Sequence, residues 1–321
     1  MSKRRWIVHS SPHQKLACNS RTGFSFKMDV FVTGGTGLIG AAVVKELLSK
    51  GARVIALARS EAASDKLRAF GASAFPGDLK HAESWVGRAA SCDAVIHAGA
   101  TFAADMGRID RLSMLALKQA TKHRKQPLKL IYTGGIWLFP SVQGTQAITE
   151  KTPFAPVPAF RFMAETIRTL SHGTDLNLVV IHPALVCSRL SGPIAEMTEA
   201  LKAGRPFRTR AASETLWPLV EANDLAALYV LALRQARFRM TLMASSISGI
   251  SVRHLAAHIS ARHGLPLEIE TVQADKAVPP ETDWSAGYAL SQKIDVTQTT
   301  RATGWQPEHS TIEDMVVSLS R

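Results

Sequence analysis

Eight residues from Thr33 to Gly40, Thr-Gly-Gly-Thr-Gly-Leu-Ile-Gly, stand directly after the apolar run Val30–Val32 and directly before the helical pattern Ala41–Leu48. Strand, glycine turn and helix in that order constrain the chain more than any other stretch, because each glycine meets a separate steric demand. Gly34 permits the tight strand-to-helix turn, Gly37 lets the main chain approach phosphate without a Cβ, and Gly40 lets the helix pack closely on the strand. Free N–H groups at the helix start, over Thr36, Leu38 and Ile39, then face an anion. The segment predicts a site for the pyrophosphate bridge of a dinucleotide.

From Asp29 onward, short β-branched runs alternate with longer helical patterns, the signature of a parallel sheet with crossover helices. Strands are expected at Val30–Thr33, Arg53–Ala58, Ala72–Phe75, Ala94–Ala98, Lys129–Thr133 and Asn177–His182. Helices are expected near 38–50, 61–70, 80–90, 105–124 and 158–172. The fold class is therefore α/β, a doubly wound parallel sheet. After Pro183 the pieces shorten: helices near Ile194–Ala203, Asp224–Gln235, Val252–His263 and Thr311–Ser320, with strands near Leu216–Val220, Arg239–Ser245 and Leu267–Val272. They read as a smaller lobe over the carboxyl ends of the sheet, where ligands of open α/β sheets bind. Residues 274–287, with Pro279 and Pro280, read as a loop over that cleft. The division expected is 1–27 as an extension outside the fold, 28–183 as the dinucleotide-binding domain and 184–321 as mainly the substrate lobe.

A formal charge of +12 in 321 residues suggests nucleic acid until it is divided along the chain. Half the excess is Lys3, Arg4, Arg5, Lys15, Arg21 and Lys27 in a leader without acids. The rest is scattered, with no basic helix or basic-aromatic interleave, so nucleic-acid binding is not expected. The leader resembles a transit peptide in composition but lacks an amphipathic repeat and the apolar centre of a secretory signal. No apolar run reaches the ~18 residues of a membrane span, so no membrane partner is expected either. Cys18, Cys92 and Cys187 are few, odd in number and far apart, with neither disulfide nor zinc spacing, which fits a cytoplasmic location. His254 and His258 share a helix face but lack a third ligand, and no metal is expected. The chain is expected to act on a small molecule, as a monomer or homodimer.

The second strand ends Leu57-Ala58-Arg59-Ser60, about where the adenosine ribose is read. An acid there would bond the 2′-hydroxyl of NAD; the guanidinium of Arg59 suits the 2′-phosphate of NADP, which is favoured with NAD as the alternative. Arg59 also reads as a solvated strand-end residue. Asp78 offers an acceptor to the adenine amino group or a helix cap. His97-Ala98-Gly99-Ala100 is small enough for a ribose to pass, and His97 also reads as a satisfied strand-end histidine.

With these residues in hand, the chain resembles the extended and atypical short-chain dehydrogenase/reductases of the NAD-dependent epimerase/dehydratase group, from Met28 nearly to the C-terminus. The resemblance rests on Thr33–Gly40, Gly77-Asp78-Leu79, His97-Ala98-Gly99-Ala100, Leu130–Trp137, Val180-Ile181-His182-Pro183, Asn223-Asp224-Leu225-Ala226 and Thr303-Gly304-Trp305-Gln306-Pro307. It implies a Rossmann-type sheet with a C-terminal substrate lobe, an NAD(P)-dependent oxidoreductase activity on a carbonyl or alcohol, and coenzyme contacts from Leu79, Ala98 and Pro183 besides those above.

Such enzymes place Ser or Thr after the fifth strand and Tyr-x-x-x-Lys about 25 residues later, the tyrosine exchanging a proton with the substrate. Here the serine position is Gly135, with Thr133 just before it, and counting on by 25 lands on Phe160 with Ala164 four residues further. Tyr132, Tyr229 and Tyr288 are followed four residues later by Ile136, Leu233 and Gln292, so the motif is absent from the chain. Two readings stay open. In one, an atypical enzyme uses Thr133 as its hydroxyl and Arg161 and Glu165 on the helix that normally carries the pair, Arg161 polarising a carbonyl rather than donating a proton. In the other, the protein binds NADP(H) as a catalytically silent sensor. Arg161 and Glu165 also read as an exposed i,i+4 ion pair. Trp137, Phe139, Phe160, Trp217 and Trp284 are candidates for an apolar substrate pocket or for plain core, and Cys187 for an inert buried thiol.

Overall fold

The computed structural model describes residues 27–320, and the expected N-terminal extension lies, apart from Lys27, outside the described residues. Six strands, β1 (Asp29–Thr33), β2 (Arg53–Ala58), β3 (Ser73–Pro76), β4 (Ala94–His97), β5 (Leu128–Thr133) and β6 (Leu176–Pro183), alternate with helices α1 (Leu38–Ser49), α2 (Glu61–Phe70), α3 (Val86–Ala90), α4 (Met106–Ala120) and α5 (Arg161–Leu170). Sequence boundaries hold to within a few residues wherever local chemistry punctuates. Ser60 caps α2 by accepting from Ala63 N–H and Gly71 closes it in the left-handed conformation. One expected helix splits: over 80–90 a 3₁₀ turn at Ala82–Ser84 precedes α3, because fully buried Trp85 turns inward to stack on Phe31 with centroids 5.8 Å apart.

Beyond β6 the chain forms β7 (Leu185–Cys187), α6 (Pro193–Lys202), β8 (Phe207–Thr209), β9 (Leu216–Glu221), α7 (Ala222–Gln235), β10 (Met240–Ala244), β11 (Ile247–Ser251), α8 (Val252–His263), β12 (Ile269–Thr271), α9 (Thr297–Thr303) and α10 (Ile312–Leu319). The main sheet runs β10-β6-β5-β4-β1-β2-β3, with every pairing parallel. Strand order reverses at β1, which lies between β2 and β4, and this opens a crevice at their carboxyl ends. Three-residue β7 and β8 and the strand β11, none of them expected, build a β11-β9-β7 sheet and a β12-β8 pair.

The division expected at 183 does not follow the chain cleanly. β10 pairs with β6 as the seventh strand, and α7 packs on α1. Residues 222–244 thus belong to the sheet layer, and α9 packs beside them on α7 and β10. Parallel pairing draws β10 in because its Leu242–Ala244 segment is fully apolar and buried. Among the described residues no helix is long and apolar enough to cross a membrane.

One polar lock ties the returning C-terminus to the sheet layer. Asp224, in the first turn of α7, accepts from Glu308 N–H (2.8 Å) and His309 N–H (3.1 Å) and from the Ser246 hydroxyl, and its carbonyl accepts from Trp305 Nε1–H (2.9 Å). The Asn223-Asp224 and Thr303–Pro307 segments therefore meet each other. Replacing Asp224 by Ala removes the acceptor of two part-buried amides, and the expected loss is about 1–3 kcal/mol. A urea midpoint unchanged from the parent would refute this account of the lock.

Candidate active site

Gly34 takes φ +73°, and a Cβ there would lie 2.5 Å from the Ala98 carbonyl oxygen. The turn thus lies against the end of β4, an approach only glycine allows. At Gly40 a Cβ would sit 2.1 Å from Gly34 O, so this glycine lets α1 close on the turn itself rather than on the strand. Gly37 is different: it is exposed, and a Cβ would meet only its own turn, at an ordinary 3.4 Å. That side of the turn is open. The first intrahelical bond is Ala41 N–H to Gly37 O at 2.9 Å, which leaves the amides of Leu38, Ile39 and Gly40 ahead of it. An exposed glycine beside three uncommitted amides fits the diphosphate of a dinucleotide.

The ends of β1 and β4 are locked by buried hydrogen bonds. Thr33 Oγ1 accepts from Gly99 N–H (3.3 Å) and lies 2.9 Å from His97 Nδ1. Its own proton then goes to Nδ1, so His97 carries hydrogen on Nε2 and donates to Asp110 Oδ1 at 3.2 Å. Asp110, on α4, also accepts from Tyr132 Oη at 3.0 Å and Thr166 Oγ1 at 2.8 Å. Burial, reinforced by the Asp110 charge, holds the Tyr132 phenol well above its usual range. No sequence signal marked Asp110, because its three partners lie on three other elements, β4, β5 and α5.

A cavity of about 370 Å³ opens at these strand ends. Of the predicted coenzyme residues, Leu38, Ile39, Leu79, His97, Ala98, Gly99 and Pro183 line it, and so does Thr133. Gly34, Thr36, Gly37, Gly40, Arg59 and Asp78 do not line it but sit on the glycine turn and just beyond β2 and β3. Arg59 is exposed, and Asp78 Oδ1 accepts from Lys80 N–H at 2.9 Å. Lys66, which the sequence reading passed over, donates to Thr36 O at 2.9 Å and puts a second cation beside the turn.

Arg161 and Glu165 require correction. Both side chains are exposed, neither lines the cavity, and neither forms an ion pair among the described residues. The reason is helical phase: residues four apart share one stripe, which here faces solvent, while Phe162 and Met163 turn to the cavity. Phe160 also lines it and Ala164 is buried, so the two positions reached by counting 25 and 29 residues on from Gly135 hold a ring without hydroxyl and a methyl group.

Thr133 Oγ1 lies 2.7 Å from the Tyr229 hydroxyl. Tyr229 is fully buried, Thr133 is its hydrogen-bond partner, and desolvation raises its pKa. The phenol therefore donates to Thr133, whose own proton is left for an acceptor in the cavity. Behind Thr133, Gly134 packs on His182: a Cβ would come within 2.4 Å of Nδ1. His182 Nδ1 accepts from Gly135 N–H at 3.4 Å, while its Nε2 is buried without a partner. At Gly135 a Cβ would meet nothing within 4 Å. Cys187 is buried, which pushes its thiol up to about 12 and makes it inert.

His258 pairs with Glu313 at 3.5 Å. A separate cluster of Glu221, Asp224 and His309 brings three ligand atoms within 4.8 Å of one another. Its carboxylates are already taken by N–H groups, Glu221 capping α7 and Asp224 holding the C-terminal segment.

The model of the NAD dependent epimerase/dehydratase family matches residues 30–240. An uncharacterised protein of Schizosaccharomyces pombe is 25% identical over 291 residues, spanning 89% of this chain and 97% of that protein. A dTDP-6-deoxy-L-talose 4-dehydrogenase (NAD(P)(+)) of Kitasatospora kifunensis is 26% identical, over 88% of this chain and 91% of its own. Among solved structures, UDP-glucuronic acid 4-epimerase of Bacillus cereus, in complex with UDP-glucuronic acid and NAD, superposes with a TM-score of 0.74 over 91% of this chain and 98% of its own, at 14% identity. This last likeness is one of fold.

The buried wall behind Thr133 carries a measurable acid sensitivity. Desolvation lowers the His182 pKa from 6.5 to about 4. The unfolded chain takes up its proton near 6.5 and the folded chain resists until about 4, so stability falls as pH drops through that window, by about 3 kcal/mol in total. Urea titrations of His182→Gln against the parent between pH 7 and 4 are expected to show a correspondingly shallower decline. Parallel declines would overturn the assignment.

Proposed function

The chain belongs to the NAD dependent epimerase/dehydratase family, and from that premise we propose that it is an NADP(H)-dependent oxidoreductase interconverting a carbonyl and an alcohol on a small, partly apolar metabolite. One observation supports this above the rest: a single cavity runs from the helix-start residues Leu38 and Ile39, past Gly99 and Thr133, to the rings of Trp137, Phe160 and Tyr288. Coenzyme and substrate can meet only in a space that both share.

The bound nicotinamide supplies or accepts the hydride. The amides of Leu38, Ile39 and Gly40 would hold the diphosphate, with Leu79, His97, Ala98 and Gly99 alongside the path to the cavity. Thr133, its lone pair engaged by Tyr229, donates a hydrogen bond to the substrate oxygen and so polarises the carbonyl. A threonine hydroxyl is a weak acid, and Tyr229 ends the relay in the core. The proton that completes reduction therefore comes from water in the cavity, a slower arrangement than a tuned tyrosine. Phe160 and Ala164 favour a second reading, a coenzyme-binding sensor without turnover.

NADP is preferred over NAD on charge. No acid follows β2 until Glu61, and that carboxylate is paired with Arg68 at 2.7 Å. Arg59 is left beside the ribose position, with Lys66 over the turn. A cytoplasmic location and a small-molecule partner complete the proposal.

Calorimetry with NADP⁺ and NAD⁺, followed by NADPH consumption over a carbonyl panel, tests both readings. Binding with turnover is expected; tight binding without turnover across the panel selects the sensor, and no binding of either coenzyme defeats both. Arg59→Asp is expected to weaken NADP⁺ roughly ten- to hundredfold, the range for one charge-assisted bond, with little effect on NAD⁺. Equal effects on the two coenzymes would remove Arg59 from its role.

A further inference from the structure

Beyond Thr133 the cavity is walled by aromatic rings held in fixed places. Trp137 lies so close over Gly287 that a Cβ there would come within 2.1 Å of the indole, and Phe162 sits on Gly107 in the same way, at 2.9 Å. Trp137 packs tilted on Phe160 (centroids 5.4 Å) and edge-on to Tyr288 (4.9 Å), and Phe160 meets Trp284 (5.8 Å). Gln292, buried, donates from Nε2 to the carbonyls of Ile136 and Phe139, and so pins the turn that carries Trp137. At the mouth, Phe102 is 67% exposed and edge-on to Trp284 at 6.3 Å.

Charge points the same way. No Lys or Arg lines this cavity among the described residues, and it carries the carboxyls of Asp110 and Glu196. Arg161 lies between the lining residues Phe160 and Phe162 in sequence but does not line the cavity itself. A second cavity of about 280 Å³ shares Glu196 and Tyr288 with the first and is where a longer substrate would extend. Its two cations are already matched. Arg210 Nη1 pairs with Asp283 Oδ2 at 2.8 Å, both largely buried, and also meets Ser285 Oγ; Arg208 pairs with Glu270 at 3.2 Å. The wall adds Glu196 and Asp275, so acids outnumber arginines three to two. A diphosphate entering there must displace Asp283 from Arg210 and lie beside carboxylates that have no cationic partner, which is unfavourable.

We infer that the substrate is an uncharged, flat aromatic ketone or its alcohol, stacked among Trp137, Phe160 and Tyr288 with its oxygen at Thr133, and that nucleoside-diphosphate sugars are excluded. The inference rests on the oxidoreductase reading and deepens it. Preformed rings give flat apolar ligands contact area without ordering cost, whereas a sugar phosphate leaves its charges uncompensated.

The test uses the full chain saturated with NADP⁺ and titrated separately with 2-tetralone and with UDP-glucose, read by tryptophan fluorescence and calorimetry. The expected result is 2-tetralone binding at least about tenfold tighter than UDP-glucose, a gap of roughly 1.4 kcal/mol. Phe160→Leu is expected to weaken 2-tetralone several-fold to about tenfold while leaving NADP⁺ affinity unchanged. Trp284→Leu, which removes the ring packed behind Phe160 and Phe102, repeats the measurement where Phe160→Leu fails to fold. Equal or tighter binding of UDP-glucose, no binding of 2-tetralone, or an affinity indifferent to both substitutions overturns the substrate assignment and leaves the oxidoreductase reading intact. Failure of NADP⁺ to bind at the outset overturns that reading, and this inference with it.

Discussion

The turn after β1 touches the end of β4 at a distance no side chain allows. Gly34 lies on the Ala98 carbonyl, Gly40 closes α1 onto Gly34, and at Gly99 a Cβ would come within 3.1 Å of Gly34 N. Three missing Cβ atoms thus bring the α1 amides and the β4 terminus together at the point where strand order reverses. Every other part of the site is arranged around that contact. The Thr33–His97–Asp110 chain fixes the two strand ends from beneath, and Tyr132 and Thr166 complete the bonding of the buried carboxylate. With all its partners in place, such a network is rigid, and rigidity here keeps the cavity floor in one geometry.

The outer half of the cavity is built by the chain coming back. After leaving the sheet at β6, it contributes β10 and α7 to the sheet layer, and the 284–292 segment returns against the turn after β5. The Asp224 lock holds the last part of that return, and Trp217 Nε1–H donates to Tyr288 O at 2.9 Å to hold another. The aromatic wall is therefore a product of contacts between residues some 150 positions apart, such as Gln292 with Ile136 and Phe139. Long-range pinning of this kind explains how a pocket can be aromatic and still open, since rings fixed by backbone contacts do not collapse onto one another.

Much of the fold was readable because buried parallel strands appear as short continuous apolar runs bounded by Gly, Pro and polar caps. β2 and α2 were placed to the residue for that reason, with Ser60 and Gly71 as their punctuation. β7 and β8 have three residues each, too few to show any period, and their pairing is set by neighbours elsewhere in the chain. β10 was visible as a strand but not as the partner of β6, because register between distant segments leaves no local trace. The missing Tyr-x-x-x-Lys could be read by counting; what stands in its place could not. Arg161 and Glu165 were attractive by position along the helix and failed by direction around it.

What the sequence determined by itself is the glycine turn, the parallel α/β layering and the charge after β2, each of which depends on residues close together in the chain. What only the tertiary structure decided is which side chains face the cavity and which charges are already paired. Asp110, Tyr229 and Lys66 gained their places this way, and Arg210 lost its freedom to Asp283. The physical reason is that steric and helical preferences act over a few residues, whereas burial and electrostatic pairing are settled only when distant segments meet.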